Sequence, residues 1–513
     1  MINRGLPRLF QNIMLRKIRI TLAIIAFVAI TLLFLDFTGT LHTWLGWLAD
    51  IQLIPAILAA NTAVFIALVA LTLVLGRVYC SVICPLGVMQ DIISWLSGRR
   101  KKKKARFKYT KNKSFLRAVI MFLFALGLNS GFAALVGIIA PYSAYGRIVS
   151  SLFAPLWQWG NNLLAYFAQR VDSYAFYEVE VWFKSMPVII VAAVTLVTLI
   201  VLAWRGGRTW CNTICPVGTF LGLISKYSLL RPVIDTTKCN GCTLCSRKCK
   251  ASCIDAKNHD IDYSRCVACM DCIDNCSQGA ISYRLKPKKA VKKEVKSTEP
   301  TDTARRTFIA TSAIVGSSLF ANAQRRRHKK VDGGLAVIQD KKIPKRATPI
   351  VPAGALSIKH LSEHCTACQL CISVCPNQVL RPSDNLMRLM QPEMSYERGY
   401  CRAECTRCSD VCPTDAIRPI TVEDKSSTQI GRAVWIKENC VVLTDNVSCG
   451  NCARHCPSGA IIMVALDREN PDGPQIPAID TEKCIGCGAC ENLCPARPFS
   501  AIYVEGNQVH HTI

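Results

Sequence analysis

The chain changes pattern once along its length. Before about residue 230 its apolar residues run in long, nearly uncharged blocks: Ile18–Phe37, Leu53–Leu75, Leu116–Ala140 and Pro187–Trp204. Each approaches or exceeds the ~20 residues that a helix needs to cross a hydrocarbon core, and globular core helices rarely stay uncharged over such lengths. The pattern predicts an α-helical membrane domain over 1–230, with spans at about 18–37, 53–75, 116–140 and 187–204. Shorter apolar stretches, Val88–Leu96 and Phe220–Tyr227, read as interfacial helices. Beyond residue 230 the apolar segments shrink to a few residues broken by Cys, Gly, Asp and Pro, which predicts small α+β modules.

The breaks carry the chemistry. The chain has 29 cysteines, and six runs end in C-x3-C. The first two are Cys239, Cys242, Cys245, Cys249 and Cys266, Cys269, Cys272, Cys276. Cys365, Cys368, Cys371, Cys375 follow, then the looser Cys401, Cys405, Cys408, Cys412, the stretched Cys440, Cys449, Cys452, Cys456, and finally Cys484, Cys487, Cys490, Cys494. The regular spacing is that of bacterial [4Fe–4S] ferredoxins, in which the fourth Cys ligates the partner cluster. A disulfide scaffold would be short and secreted, and structural zinc uses Cys pairs without a trailing fourth Cys. Six cubane clusters are expected, with iron held by these cysteines.

In the first module, over 231–284, crossed ligation gives Cys239, Cys242, Cys245 with Cys276, and Cys266, Cys269, Cys272 with Cys249. In the domain over 331–513 the two irregular runs lie between two regular ones, which suggests nesting. That predicts Cys365, Cys368, Cys371 with Cys494; Cys484, Cys487, Cys490 with Cys375; Cys401, Cys405, Cys408 with Cys456; and Cys440, Cys449, Cys452 with Cys412. Cys253 falls outside the pattern and reads as a packed residue.

The membrane part looks like an internal repeat. Gly76-Arg77-Val78-Tyr79-Cys80-Ser81-Val82-Ile83-Cys84-Pro85-Leu86-Gly87 is echoed by Gly207-Arg208-Thr209-Trp210-Cys211-Asn212-Thr213-Ile214-Cys215-Pro216-Val217-Gly218. The two C-x3-C-P pairs, Cys80, Cys84, Cys211 and Cys215, are expected to meet at one site. They would hold a further metal or cluster there, cycle as redox thiols, or merely pack as inert thiols at a turn.

Charge sets orientation. The net charge of +27 is not a nucleic-acid signature, because the excess flanks the apolar runs: Arg4, Arg8, Arg16, Lys17 and Arg19 before the first, and an acid-free basic run over Arg99–Lys113. This is the positive-inside pattern and predicts a cytoplasmic N-terminus and a cytoplasmic first cluster module. After a Lys- and Pro-rich linker at 285–303, Arg305-Arg306-Thr307-Phe308-Ile309 opens a segment that ends in Ala321-Asn322-Ala323. Over 304–323 it reads as a twin-arginine export signal or anchor, which would place the four-cluster domain in the periplasm. The competing reading is a surface helix, favoured by the basic run Arg325–Lys330.

Other redox groups find no support. None of the eight histidines, His42, His259, His328, His360, His364, His455, His510 and His511, lies within the four spans. There is no C-x-x-C-H for covalent haem and no G-x-G-x-x-G after a predicted strand. An exchangeable quinone is the natural carrier for the membrane part, with Asp36, His42, Tyr142 and Tyr145 as polar and aromatic candidates at the outer boundary; interfacial belting is the plainer account of the tyrosines.

With these motifs in place, the chain resembles a fusion of NapH and NapG, the iron–sulfur quinol dehydrogenase pair associated with periplasmic nitrate reductase; the methylamine-utilisation proteins MauN and MauM are similar. The NapH-like part covers about 1–290 and the NapG-like part about 304–513. The resemblance implies oxidation of menaquinol or ubiquinol in the bacterial inner membrane, with electrons passed to a periplasmic cytochrome or reductase. Fusion departs from the separate-subunit pattern. CcoG, an oxidase-assembly protein implicated in copper reduction, shares the helices, C-x3-C-P and a two-cluster module. A biogenesis factor that reduces a metal or thiol is therefore one alternative, and a conduit fed by cytoplasmic ferredoxin is another.

Overall fold

The computed structural model describes residues 8–36, 38–100, 107–131, 133–173, 175–183, 185–285, 339–467, 469–471 and 473–513. The twin-arginine segment and, apart from Leu285, the linker before it lie outside these residues.

Two of the four expected spans are continuous helices. Arg8–Leu35 and Met186–Gly206 each include 21 residues that are long and apolar enough to cross a membrane. Their outer faces are bare hydrocarbon, with Leu22, Ile25, Ile190, Val194 and Val197 exposed. The other two spans are interrupted. Residues 53–75 divide into Leu53–Leu58 and Thr62–Leu75. At the break Ala60 adopts φ 52°, the Asn61 N–H returns to Ala56 O at 2.9 Å, and the Asn61 side chain caps Val64 N. Residues 116–140 divide into Ser114–Asn129 and Ala133–Ile139, with Gly131 at φ 68° in the break, the left-handed position that glycine fills after a helix. Hydropathy sees only an unbroken apolar run; these caps are local backbone chemistry. The segment after Pro85 extends to Arg100 as a helix, and Pro216–Ser225 is its counterpart.

The first cluster module is built from two antiparallel pairs. β1 (Leu230–Ile234) pairs with β4 (Ile281–Leu285), and the short β2 (Ile254–Asp255) pairs with β3 (Asp260–Ile261). The two Cys runs occupy the loops between them. The last part of the chain repeats this plan: β7 (Thr428–Trp435) pairs with β10 (Ile502–Thr512), enclosing the hairpin of β8 (Ile461–Ala465) and β9 (Gln475–Ile479). Between 350 and 418 a reduced version keeps the central pair, β5 (Leu380–Pro382) with β6 (Pro392–Met394). The C-terminal domain is therefore two ferredoxin-like units in tandem. Tyr396, fully buried, joins them by donating to Gly486 O at 2.7 Å.

The two modules cap opposite ends of the helical part. At one end Arg16 pairs with Asp271 and Asp274 at 3.0 and 2.8 Å, and the Tyr283 hydroxyl donates to Leu75 O at 2.7 Å. At the other, Arg407 donates to Thr38 O at 3.0 Å, Arg398 meets Glu180 at 2.8 Å, and Ser185 donates to Asp384. The 28-residue Arg8–Leu35 helix runs between them, a length of about 40 Å at the rise of an α-helix.

Candidate electron-transfer site

In the regular runs, local backbone geometry prepares the cysteines. The residue before the second Cys and the residue after it are left-handed: Gly241 and Thr243, Ala268 and Met270, Ala367 and Gln369, Gly486 and Gly488. Left-handed backbone at non-glycine residues costs roughly 1–2 kcal/mol each, and here it turns amide N–H groups toward sulfur. Ala367 N donates to Cys365 Sγ at 3.4 Å, and Ala268 and Gly486 do the same for Cys266 and Cys484. Such N–H nests favour negative charge, and hydrogen bonds to sulfur raise cluster potential. Burial pushes the Cys368 and Cys487 thiols up to about 12 and Cys452 to about 11. Bare thiols there stay protonated at neutral pH, so the positive iron of a cluster is what would hold them as thiolates.

The fourth cysteine of each set is decided by tertiary structure. In the first module Cys276 joins Cys239, Cys242 and Cys245, and Cys249 joins Cys266, Cys269 and Cys272. In the C-terminal domain the nested expectation is corrected. Cys412, not Cys494, faces Cys365, Cys368 and Cys371, while Cys375 faces Cys401 and Cys408. Cys456, not Cys375, faces Cys484, Cys487 and Cys490, and Cys494 stands by Cys452. The reason is the tandem fold. The helical turns Leu370–Ser373 and Arg407–Asp410 pack together, as do Asn451–Arg454 and Ala489–Leu493, so each unit exchanges ligands only within itself.

Cys253 does more than fill space. It is 1% exposed, its sulfur is 3.5 Å from Cys249 Sγ, and it also bonds Cys266. These contacts hold Cys253 as the protonated donor and draw the Cys249 thiol down from its ordinary value. The sequence gives no signal for this beyond one cysteine out of register.

The four C-x3-C-P cysteines converge. Cys80, Cys84, Cys211 and Cys215 are each 3–4% exposed and mutually adjacent. Two fully buried arginines from the repeated Gly-Arg pairs clasp them in exchanged fashion. Arg77 reaches Cys80 Sγ at 3.7 Å and the opposite Cys211 O at 3.3 Å; Arg208 reaches Cys211 Sγ at 4.0 Å and the opposite Cys80 O at 2.5 Å. Gln90 donates to Cys211 Sγ at 3.2 Å, and Gly218 N to Cys215 Sγ at 3.3 Å. The matched glycines make room. A Cβ at Gly87 would meet Cys80 O at 2.3 Å and Arg208 at 2.6 Å; one at Gly218 would meet Cys211 O at 2.1 Å and Arg77 at 2.8 Å. Arg208 is held on Asp91 through 2.7 and 2.8 Å bonds, and Asp91 also pairs with Arg19 and Lys250. The shared Gly-Arg and Pro-x-Gly spacing was visible in the sequence, but nothing in it said that the arginines cross over.

Among the described residues, no three His, Cys, Asp or Glu side chains are arranged to hold a single metal ion. That is true of the ferredoxin runs and of the membrane cage alike. By donor chemistry the sets suit cluster ligation, with four thiols brought together in each.

The sites form a sequence in space. Arg77 bridges from the cage to Ser264 O at 3.1 Å, beside Cys266. On the other side Tyr79, 1% exposed, faces Cys80, Cys84 and Cys215. Tyr142, whose buried hydroxyl lacks a hydrogen-bond partner among the described residues, faces both Tyr79 and Cys368. Cys368 is buried in the same core as Phe34 and Tyr145. Farther out, Cys401 N bonds Cys487 O at 3.0 Å, joining the second and third sets of the C-terminal domain. Of the expected quinone residues, Asp36 is occupied with the amides of Thr38, Gly39 and Leu41 and sits 3.4 Å from His42, and Tyr145 bonds Thr31. These are structural tasks.

Comparison with known proteins agrees with this chemistry. A family model described as a 4Fe-4S binding domain matches twice, at residues 59–104 and 188–235, covering both C-x3-C-P pairs. A 4Fe-4S dicluster domain matches 447–497. The methylamine utilization ferredoxin-type protein MauM of Methylobacillus flagellatus is 31% identical over 169 residues, 31% of this chain and 70% of that protein. The ferredoxin-type protein NapF of Escherichia coli is 25% identical over 178 residues, 35% of this chain and 99% of NapF. NapG of the same organism is 28% identical over 156 residues, 28% of this chain and 64% of NapG. No solved structure matches the chain. On the fold, the cysteine sets and these relatives, the chain belongs to the Nap/Mau-type ferredoxin-type [4Fe–4S] electron-transfer proteins.

Proposed function

We propose that this protein is a membrane-bound iron–sulfur oxidoreductase that takes electrons from quinol and conducts them across the bilayer to a periplasmic redox partner. The observation that carries the reading is the placement of the cysteine cage. It lies between a two-cluster module at one end of the helices and a four-cluster domain at the other, with Arg77 touching one side and Tyr79 and Tyr142 leading to the other. The exposed hydrocarbon of the two long helices supports a lipid environment. The basic run Arg99–Lys113 supports a cytoplasmic first module.

The sets Cys239/242/245/276, Cys266/269/272/249, Cys365/368/371/412, Cys401/405/408/375, Cys484/487/490/456 and Cys440/449/452/494 would hold six clusters, and Cys80, Cys84, Cys211 and Cys215 a seventh centre. Bound clusters supply one-electron transfer at potentials set by charge, sulfur hydrogen bonds and exposure. The chain supplies the rest. Arg77, Arg208 and Gln90 bring positive charge and donors to the cage, and the buried Lys425, bonded to Arg402 O, does so beside Cys401 and Cys408. The close-packed core between the cage and Cys368 excludes water.

The test is purified protein in lipid nanodiscs mixed with a soluble menaquinol or ubiquinol analogue. Bleaching of cluster absorbance is expected. Clusters reducible by dithionite but inert to every quinol would overturn quinol oxidation. A reporter fused after residue 513 that is active only in the cytoplasm would overturn the crossing.

A further inference from the structure

Against the cage lies an apolar cavity of about 390 Å³, open on one side, between the interrupted helix pair at 53–75, the Ser114–Asn129 helix and the Pro216–Ser225 helix. Its volume falls in the range of small-molecule sites. Three features go beyond a gap between helices. First, its wall includes Pro216 and Val217, the residues directly after Cys215 of the cage. Second, Phe65, Phe124 and Phe220 line it, with the Phe65 and Phe220 rings 6.1 Å apart, a flat aromatic surround for a ring. Third, its rim is the helix break itself, Ala60, Asn61 and Thr62. Non-helical backbone at membrane depth is tolerated where it is buried in protein or lines a cavity, and broken helices in membranes commonly mark binding sites. Asn61 spends its side-chain oxygen on Val64 N, and its amide nitrogen has no partner among the described residues.

We propose that this cavity is the quinol site: the aromatic walls hold the headgroup, the Asn61 amide donates to a ring oxygen, and the isoprenoid tail leaves through the open side. The proposal rests on the quinol reading above and gives it a location. In the step, quinol loses two electrons, one at a time, to oxidised iron–sulfur clusters of this chain and releases two protons to bulk water, leaving quinone. The site differs from the outer-boundary group Asp36, His42, Tyr142 and Tyr145, none of which lines it.

The experiment is photolabelling of the full chain in nanodiscs with an azido-quinone, run beside quinol-dependent cluster reduction. Label is expected on peptides spanning 53–65, 121–128 and 216–220. Ile57→Trp and Ala125→Trp, at exposed lining positions where bulk can be added without disturbing the core, should abolish the label. They should also slow quinol-dependent reduction at least tenfold while the dithionite-reduced EPR spectrum stays unchanged. Label confined elsewhere, or cavity-filled variants oxidising quinol at the native rate, overturns the site even if quinol oxidation holds. Label in the cavity without cluster reduction by quinol supports the site and overturns the oxidation. No label, with phospholipid acyl chain recovered from the cavity, overturns the proposal.

Discussion

The chain builds two kinds of four-cysteine site by different means. In the ferredoxin runs three thiols come from one loop, and left-handed backbone aims the amides at them. One long-range contact completes each set. In the C-x3-C-P cage only two thiols come from each loop. Much of its support crosses from the other half: Arg77 to Cys211 O, Arg208 to Cys80 O, Gln90 to Cys211 Sγ. A loop-built site tolerates distance from the core, and Cys242 is exposed. A site built by packing has to be buried, and its electrostatics rest on buried arginines. The difference teaches where each kind should fail: the first by losing one loop, the second by losing the whole junction.

The largest effect should follow from opening the cage. A Cys80→Ser/Cys211→Ser double variant should lose one cluster's worth of iron and sulfide and slow reduction of the outer clusters by quinol at least 100-fold, read by stopped-flow absorbance; unchanged metal, sulfide and rate would reduce the cage to inert packing.

Next is the arginine clasp. Arg208→Met leaves Asp91 buried beside only Arg19 and Lys250, and breaking a buried pair costs about 3–5 kcal/mol. A large drop in melting temperature is expected, with no comparable drop for Arg432→Met on the exposed face of β7.

On the ferredoxin side, Gly488→Ala puts a Cβ about 2.3 Å from the Tyr396 ring at a position with φ 80°. A cost of roughly 2–4 kcal/mol follows from left-handed strain and overpacking. Urea denaturation should show it. EPR should show the change confined to the Cys484 and Cys401 sets, on either side of Tyr396.

The smallest effect concerns His510, which burial and His511 lower to about 4 from 6.5. Its folded pKa is depressed, so its contribution is complete above pH 6.5 and is lost as pH falls toward 4, worth at most a few kcal/mol. The melting temperature of the C-terminal domain should fall between pH 7 and 5, and His510→Gln should flatten that slope.

Much of the candidate site was legible. The six runs, the matched C-x3-C-P pairs and their meeting at one place followed from spacing, because three ligands of a cubane fit one short loop. The fourth ligand did not, because Cys412 and Cys494 carry the same local signature and only the packing of helical turns within each unit tells them apart. Two spans read as continuous because hydropathy averages over the Asn61 and Gly131 caps. Of the outer-boundary polar residues, Asp36 caps a turn, a task that polarity at an apolar edge does not distinguish from ligand binding.

The sequence by itself determined the cofactor chemistry and the division into helical and cluster-bearing parts, since both rest on local spacing and on runs of one polarity. Only the folded chain shows which cysteine completes each set, that Arg77 and Arg208 cross between halves, and that a cavity lies against Pro216-Val217. Those features depend on which distant segments touch, and that is settled by packing complementarity, which a one-dimensional pattern does not carry.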